Sequence, residues 1–173
     1  MPPYIFSPDQ CETLMQYVQQ SEPDSMAWFV VCLFSGVRPH EADKLTWDSI
    51  KGDKIVIDAA ASKVRRRRIV GMKPNAKSWL AFAHSIGSRL PLPHATRRKS
   101  VRRVRDALKL KAWPVDVLRH TCASYWIADV RDVARVALEL GNSPSVLLRH
   151  YMELVSHEDA AKFWQIYPKH EHR

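Results

Sequence analysis

Arg38 stands directly after an apolar run and is followed by a carboxylate about one helical turn further along the chain. The run WFVVCLF fills residues 28–34, and Gly36 occupies the position of a residue that ends a helix. A lone arginine at the end of a buried helix needs an anionic partner, because an unpaired buried charge is costly. Glu41, three residues after Arg38, is the first candidate for that partner.

Basic residues are concentrated in two short segments. These are KVRRRR at 63–68 and RRKSVRRVR at 97–105, while residues 1–30 and 152–160 lean acidic. The whole chain has 27 Lys and Arg against 18 Asp and Glu, which gives a formal charge of +9. This excess and its uneven distribution predict one strongly positive face and a polyanionic partner.

Helical periodicity covers most of the chain around these residues. Ser7, Pro8 and Gln10 have the spacing of a capping box with proline in the first turn, so a helix is expected over about 8–20. Arg38 then lies at the junction between a buried second helix and a short third helix that starts at Pro39. The predicted segments are 24–36, the short helix from Pro39, 75–86, 95–110, 114–128, a helix ending at Gly141, a short segment at 144–151, and 157–167.

Only the centre of the chain has the composition of strands. KIVID at 54–58 and RRRIVGM at 66–72 flank a polar, basic turn, and Lys63 lies in or near that turn. They predict a small antiparallel hairpin or a three-stranded sheet. The expected fold class is therefore mainly α (α+β), with one small antiparallel sheet.

Two of the predicted helices combine an apolar stripe with functional candidates. In 95–110 the stripe alternates with a basic face, and in 114–128 the stripe lies next to Arg119. The basic face predicts contacts with phosphates. The first stripe is Val101, Val104 and Leu108, the basic face is Arg98, Arg102, Arg105 and Lys109, and the second stripe is Val115, Leu118, Cys122 and Trp126.

Length and cysteine content exclude several classes of protein. A chain of 173 residues is long enough for one core, so 1–173 is expected to be a single domain. Three cysteines at wide separations do not suggest a disulfide or zinc framework. There is no leader-like start and no apolar run of membrane-spanning length. We expect a cytoplasmic protein with no metal site and no membrane association.

Four blocks together resemble the tyrosine recombinases, or phage-type integrases, in their C-terminal catalytic domain. FSGVRPHEADKLTWDSI resembles the family's Gly-Leu-Arg-x-x-Glu box, and ASKVRRRRIV resembles its β-hairpin lysine motif. DVLRHTCASYW is similar to His-x-x-Arg-His-Thr. LELGNSPSVLLRHYMELVSHEDAAKFW is similar to Leu-Gly-His-Ser followed nine residues later by the tyrosine nucleophile. The blocks occur in the family's order and span about residues 6–167.

The resemblance implies a site-specific recombinase that cuts and rejoins DNA without a cofactor. Arg38 and Arg119 would hold the scissile phosphate, since the arginine fork binds two oxygens and stays charged. Tyr151 would attack the phosphorus and form a 3′-phosphotyrosyl intermediate, and Lys63 would protonate the leaving 5′ oxygen. Glu41 would orient the guanidinium of Arg38. Each arginine taken singly would instead suit an ordinary structural ion pair.

Two positions differ from the family's pattern. Asp116 stands where the third block normally begins with His, and Asn142 where the fourth normally has His or Trp. Loss of one transition-state contact costs about 3 kcal/mol, or roughly a hundredfold in rate. The alternative to an active recombinase is therefore a catalytically degenerate relative that binds DNA.

The resemblance also implies how the protein meets its partners. Double-stranded DNA is the expected partner, contacted by Arg65 and Arg66 and by the basic face Arg98, Arg102 and Arg105, and no small-molecule substrate is expected. On DNA the family acts as a tetramer that exchanges C-terminal tails, here about 162–173, while the isolated chain is expected to be a monomer. The family's N-terminal core-binding domain is absent from this sequence, which suggests a fragment of a longer protein.

Overall fold

The computed structural model describes residues 4–62, 66–130, 132–145 and 155–170. Helices form most of these ranges, and three short strands form one antiparallel sheet. The helices are α1 (Pro8–Ser21), α2 (Met26–Ser35), α3 (Pro39–Ala42), α4 (Pro74–Ser85), α5 (His94–Ala107), α6 (Val117–Val130), α7 (Val133–Leu140) and α8 (His157–Trp164). The strands are β1 (Ile50–Lys51), β2 (Lys54–Ile57) and β3 (Arg68–Gly71). The predicted fold class is confirmed.

Local chemistry sets several helix ends where the sequence predicts them. Ser7 Oγ accepts from the Gln10 backbone N–H at 3.1 Å and Gln10 Oε1 accepts from the Ser7 N–H at 3.0 Å, which completes the capping box of α1. Gly36 and Gly141 end α2 and α7 with φ of 66° and 72°. This left-handed conformation favours glycine, so both glycines act as predicted.

Helix α2 is the centre of the core. All of its residues are buried, because it is apolar on every side and is covered by α4 and by α6. Helix α6 packs in turn against α7 and α8. The core therefore fixes α2, α6 and α7 relative to one another, and these are the helices that carry or adjoin the candidate site.

The sheet lies beside α7. Strand order is β1-β2-β3, with Ile55 opposite Val70 and Ile57 opposite Arg68 in the antiparallel register of β2 and β3. Ile55, Ile57 and Val70 face the core. The Gly71 backbone N–H donates to Glu139 Oε2 at 3.0 Å, which attaches β3 to α7.

One predicted core residue is not in the core. Val115 is 83% exposed, although Leu118, Cys122 and Trp126 of the same predicted stripe are buried. Helix α6 begins only at Val117, and Asp116 before it has φ of 51°. Because a left-handed residue interrupts helical geometry, the helical spacing does not extend back to Val115.

The chain after α8 folds back onto its own domain. The carbonyl of Ile166 accepts from Trp79 Nε1 at 2.9 Å and from Asn75 Nδ2 at 3.3 Å. Gln19 and Lys169 exchange two hydrogen bonds through the Gln19 amide and the Lys169 backbone. Among the described residues, no helix is both long and apolar enough to cross a membrane.

Candidate active site

Arg38 and Arg119 meet at the C-terminal end of α7. Nη2 of Arg119 donates to the Leu140 carbonyl at 2.7 Å, and Nη2 of Arg38 donates to the next carbonyl, that of Gly141, at 3.2 Å. Nη1 of Arg119 also donates to the Gly36 carbonyl at 2.5 Å. Free carbonyls and the negative end of a helix dipole both favour a cation. Two arginines 81 residues apart in sequence therefore share one helix end.

The elements that carry these arginines explain their positions. The left-handed Gly36 turns the chain out of buried α2, so that Arg38 starts α3 as its N-cap residue. Arg119 lies on the buried side of α6 and is 6% exposed. Both side chains thus reach the end of α7 from rigid helices, which suits a site that must hold its geometry before a ligand arrives.

Glu41 pairs chiefly with Arg68, a residue to which the sequence assigned no role. Arg68 Nη1 bonds Glu41 Oε2, and Arg68 Nη2 donates to Glu41 Oε1 at 2.9 Å. Arg38 Nη1 lies 3.6 Å from Glu41 Oε1, and its backbone N–H donates to the same oxygen at 3.3 Å. Glu41 is therefore shared between the two arginines, with Arg68 bound in the bidentate geometry.

A signal for Arg68 was present in the strand pattern. Residues two apart in a strand lie on the same face, and Val70 of β3 is buried in the core. Arg68 falls on that face, and its side chain is only 8% exposed. An arginine on the inner face of a strand requires a carboxylate, and Glu41 is fully buried beside it.

The pKa shifts reflect this shared burial. Burial lowers the pKa of Arg38, and the attraction of Glu41 opposes that effect only in part, so the net pKa lies below its usual value. Arg68 lowers and Asp116 raises the pKa of Arg38 more weakly. Burial raises the pKa of Glu41, but the hydrogen bonds and charge of Arg68, with the charge of Arg38, outweigh burial and hold it below its usual range. Glu41 is therefore ionised at neutral pH.

Of the two positions that differ from the family's pattern, Asn142 bonds directly to the arginine pair. Asn142 follows Gly141, and its Oδ1 accepts from Arg38 Nη2 at 3.1 Å. Asp116 is exposed, and its charge raises the pKa of Arg38 weakly. The structure brings Arg38, Arg119 and Asn142 together, and their catalytic roles stay predictions.

Other predicted site residues fall beside this cluster or outside the described ranges. Arg66 is exposed, and with Arg67 it faces Leu138 and Asn142 across a cleft of about 490 Å³. Lys63, Arg65 and Tyr151 lie outside the described residues, as do 146–150 of the predicted segment 144–151.

The basic face of α5 is divided between exposed and paired arginines. Arg98 and Arg102 are exposed, while the Arg105 guanidinium donates to the neighbouring Asp106 carboxylate at 3.0 and 3.2 Å. Arg97 pairs with Asp43 at 2.8 Å, and Arg103 pairs with Glu22. The exposed arginines are therefore the better placed of these side chains to meet a polyanion.

The three cysteines and Tyr125 are poorly suited to act as nucleophiles. Cys11, Cys32 and Cys122 are buried, and burial raises the pKa of each thiol. Tyr125 is buried and donates to the Phe6 carbonyl at 2.8 Å, and burial raises its pKa as well. The described residues hold no group of three or more His, Cys, Asp or Glu placed to bind a metal.

Comparison with known proteins yields likenesses in structure alone. No protein-family profile and no curated protein matches the chain. The XerA recombinase superposes with a TM-score of 0.72 at 18% identity, over 98% of this chain and 67% of XerA. XerH bound to its difH substrate before cleavage gives 0.67 at 20% identity, over 94% of this chain and 55% of XerH. The post-cleavage complex of XerH with a palindromic difH substrate gives a TM-score of 0.69 at 20% identity, over 95% of this chain and 54% of XerH.

The fold is that of a tyrosine recombinase catalytic domain. The likeness covers nearly all of this chain and only about half to two thirds of each recombinase. At this level of identity it shows the fold, and function must be argued from the site.

Proposed function

We propose that this chain is the catalytic domain of a site-specific DNA recombinase that cuts and rejoins DNA strands through a 3′-phosphotyrosyl intermediate. One observation carries the proposal: Arg38 and Arg119, from different helices, bond adjacent carbonyls at the end of α7. Two guanidinium groups at one point form a site for a group with several anionic oxygens. A backbone phosphate in double-stranded DNA is such a group.

The proposed reaction balances without a metal, an oxidant or a reductant. The Tyr151 phenol releases its proton to water as its oxygen attacks the phosphorus, the bond from phosphorus to the 5′ oxygen breaks, and Lys63 supplies a proton to that oxygen. The products are a 3′-phosphotyrosyl link and a free 5′ hydroxyl. Rejoining reverses these steps with another 5′ hydroxyl as the nucleophile. Arg38 and Arg119 stabilise the charge that develops on the non-bridging oxygens in both directions.

Asn142 has a defined part in this proposal. Its side-chain oxygen already accepts from Arg38, so its amide N–H₂ remains as a donor toward a bound phosphate. A neutral amide gives a weaker bond to an anion than a cation does. We therefore propose a slower recombinase than one with a cationic donor at this position, by about a hundredfold.

The test is covalent capture of DNA by the full chain. Bound duplexes are first selected from a randomised library to find the recognised site, and that site is then placed in a nicked suicide duplex. Loss of the short fragment below the nick prevents rejoining, so a protein–DNA adduct that survives denaturation should accumulate. We expect the adduct with wild-type protein and none with Tyr151→Phe.

The controls separate catalysis from binding. Tyr125→Phe removes a hydroxyl from a buried tyrosine with no proposed chemical role and should leave adduct formation intact. DNA retarded in a gel without an adduct would contradict the recombinase proposal and indicate the DNA-binding, catalytically degenerate alternative. An adduct that persists in Tyr151→Phe would show that a different residue is the nucleophile.

A further inference from the structure

A buried carboxylate lies between two arginines that are unequally placed to pair with it. The Glu41 side chain is fully buried, and the side chains of Arg68 and Arg38 are 8% and 13% exposed. Arg68 bonds both carboxylate oxygens, with Nη2 at 2.9 Å from Oε1. Arg38 Nη1 stays 3.6 Å from Oε1, beyond hydrogen-bond distance. The Arg68 guanidinium therefore forms hydrogen bonds to the carboxylate, while the Arg38 guanidinium makes only a longer ion pair with it.

One nitrogen of the Arg38 guanidinium, Nη1, makes no hydrogen bond to the described residues. Its Nη2 is fixed by the Gly141 carbonyl and by Asn142 Oδ1. Its Nη1 is buried and has no hydrogen-bond partner in the part of the chain that the structure describes. A buried donor without a partner costs free energy, and such groups concentrate where a ligand supplies the missing bond.

We propose that Arg68 is a positioning residue: by occupying both oxygens of Glu41, it keeps Nη1 of Arg38 from forming a hydrogen bond to Glu41 that would compete with a DNA phosphate. The inference rests on the proposed function, in which Arg38 binds the scissile phosphate. Without Arg68, the buried Glu41 carboxylate would attract the Arg38 guanidinium beside it. A shift of about 0.6 Å, from 3.6 Å to an ordinary length of about 3.0 Å, turns the loose contact into a hydrogen bond.

Arg68 also fixes this cluster against the end of α7. Its Nε donates to the Glu139 carbonyl at 3.1 Å, one residue before the carbonyl that holds Arg119. A Cβ at Gly141 would lie 3.3 Å from Arg68 Cδ and 3.3 Å from Arg38 Nη1, so the two side chains pack on the same glycine. Arg68 thereby joins β3, Glu41 and the site of the arginine pair.

The first test uses the DNA-free chain with inorganic phosphate as the probe. Phosphate is titrated while the side-chain N–H signal of Arg38 is followed by ¹⁵N NMR, with the signal assigned from Arg38→Lys. Arg68→Met removes the fork and should weaken phosphate binding at Arg38 by about tenfold or more, because Glu41 now competes for Nη1. The double variant Arg68→Met/Glu41→Gln removes the competitor and should bind phosphate at least about threefold more tightly than Arg68→Met.

Arg103→Met is the matched control, because it also removes one positive charge and takes the arginine partner from a buried carboxylate. Arg103 pairs with Glu22, which is 6% exposed, so this change also takes one arginine and one unit of charge from a buried glutamate. Phosphate affinity at Arg38 should stay within about twofold. An equal loss in both single variants, or no recovery in the double variant, contradicts the proposal. If Arg68→Met does not fold, Arg68→Lys replaces it. It should give a smaller loss of phosphate affinity, because lysine keeps the positive charge but lacks the fork.

The second test measures adduct formation on the suicide duplex at saturating DNA and well below each variant's melting temperature. We expect at least a tenfold slower rate of adduct formation in Arg68→Met, a rate at least about threefold higher in Arg68→Met/Glu41→Gln than in Arg68→Met, and little change in DNA affinity. A defect that Glu41→Gln does not relieve overturns the role of Arg68. Absence of an adduct in wild type contradicts the proposed function instead, and the phosphate titration then decides the role of Arg68 alone.

Discussion

Two features of Gly141 favour glycine: its left-handed backbone conformation and the arginine side chains that pack against it. It ends α7 at φ of 72°, and a Cβ there would meet Arg38 Nη1 and Arg68 Cδ at 3.3 Å each. Glycine alone satisfies both conditions without strain, since it has no Cβ to place. Its carbonyl in turn accepts from Arg38.

Replacement of Gly141 by alanine should therefore lower the free energy of unfolding by more than the strain of the left-handed backbone alone. Gly87 is the matched control, with φ of 77° and open space around its Cβ position. We expect Gly87→Ala to lower the free energy of unfolding by about 1 kcal/mol and Gly141→Ala by about 2–3 kcal/mol, measured by urea denaturation. Adduct formation should fall only in Gly141→Ala. Equal losses in both variants would show that crowding against the arginines has no energetic effect.

Ionisation of Glu41 makes the cluster sensitive to acid. The pKa of Glu41 is lowered in the folded protein, so its contribution to stability is complete above its unfolded pKa of about 4.3 and is lost as pH falls through the lower folded value. Glu41→Gln breaks a buried ion pair and should cost about 3–5 kcal/mol at pH 7. The gap between wild type and Glu41→Gln should narrow below about pH 4, measured by denaturation across pH.

The control for this pH dependence is Glu158→Gln. Glu158 pairs with Lys162 on the exposed side of α8, and its side chain is 80% exposed. Exposed pairs contribute little, so this change should stay within about 0.5 kcal/mol of wild type at every pH. A constant gap for Glu41→Gln from pH 7 to pH 3 would mean that Glu41 is not stabilised as a carboxylate.

The sequence predicted a pairing of Arg38 with Glu41, and the structure places the two side chains 3.6 Å apart, but the closer pairing of Glu41 with Arg68 was not predicted. Glu41 lies three residues from Arg38, and helical spacing brings such residues together. Arg68 is 27 residues from Glu41, and tertiary packing brings the two side chains together. Pairs between distant segments depend on tertiary structure, which local periodicity does not encode.

At the scale of elements, some basic side chains of α5 pair with carboxylates of other elements, and others are exposed to solvent. Arg97 and Arg103 hold Asp43 and Glu22 of other elements, so they attach the helix to the core. Arg98 and Arg102 project from the exposed side. A sequence count of basic residues treats all of these alike, because it contains no information about which carboxylates lie opposite.

This division predicts different effects on DNA binding. Arg98→Ala/Arg102→Ala should lower the slope of log affinity against log salt by about 2, since each lost phosphate contact removes about 0.9 from the slope. Arg105→Ala should change the slope by less than about 0.5, because Arg105 is held by Asp106. Fluorescence anisotropy with a labelled duplex at several salt concentrations provides the measurement. Equal slopes for wild type and the double variant would place the DNA away from α5.

Element boundaries were predicted well where local chemistry fixes them and poorly where it does not. The Ser7 capping box and the two C-terminal glycines ended helices as expected. The start of α6 was placed too early, because the apolar spacing extends back to Val115 although the left-handed conformation of Asp116 interrupts the helix there. The exposed Val115 is the direct consequence.

At the scale of the whole molecule, the C-terminal segment covers the domain that carries it. Ile166 is 8% exposed, and its carbonyl holds Trp79 and Asn75 of α4. Lys169 is held by Gln19 of α1. These contacts lie within one chain, whereas exchange of tails between protomers, as the family resemblance implies for the DNA-bound tetramer, would require this segment to leave its own domain.

The two arrangements differ in how stability depends on protein concentration. If Ile166 packs within its own chain, Ile166→Ala should lower the free energy of unfolding by about 2–4 kcal/mol, the cost of emptying a buried site. The melting temperatures of wild type and variant should then be the same at every protein concentration, because no second chain takes part. The neighbouring Tyr167 is 39% exposed, so Tyr167→Ala should cost much less and provides the control. A wild-type melting temperature that rises with concentration, together with loss of that rise in Ile166→Ala, would show instead that the tail is already exchanged between chains without DNA.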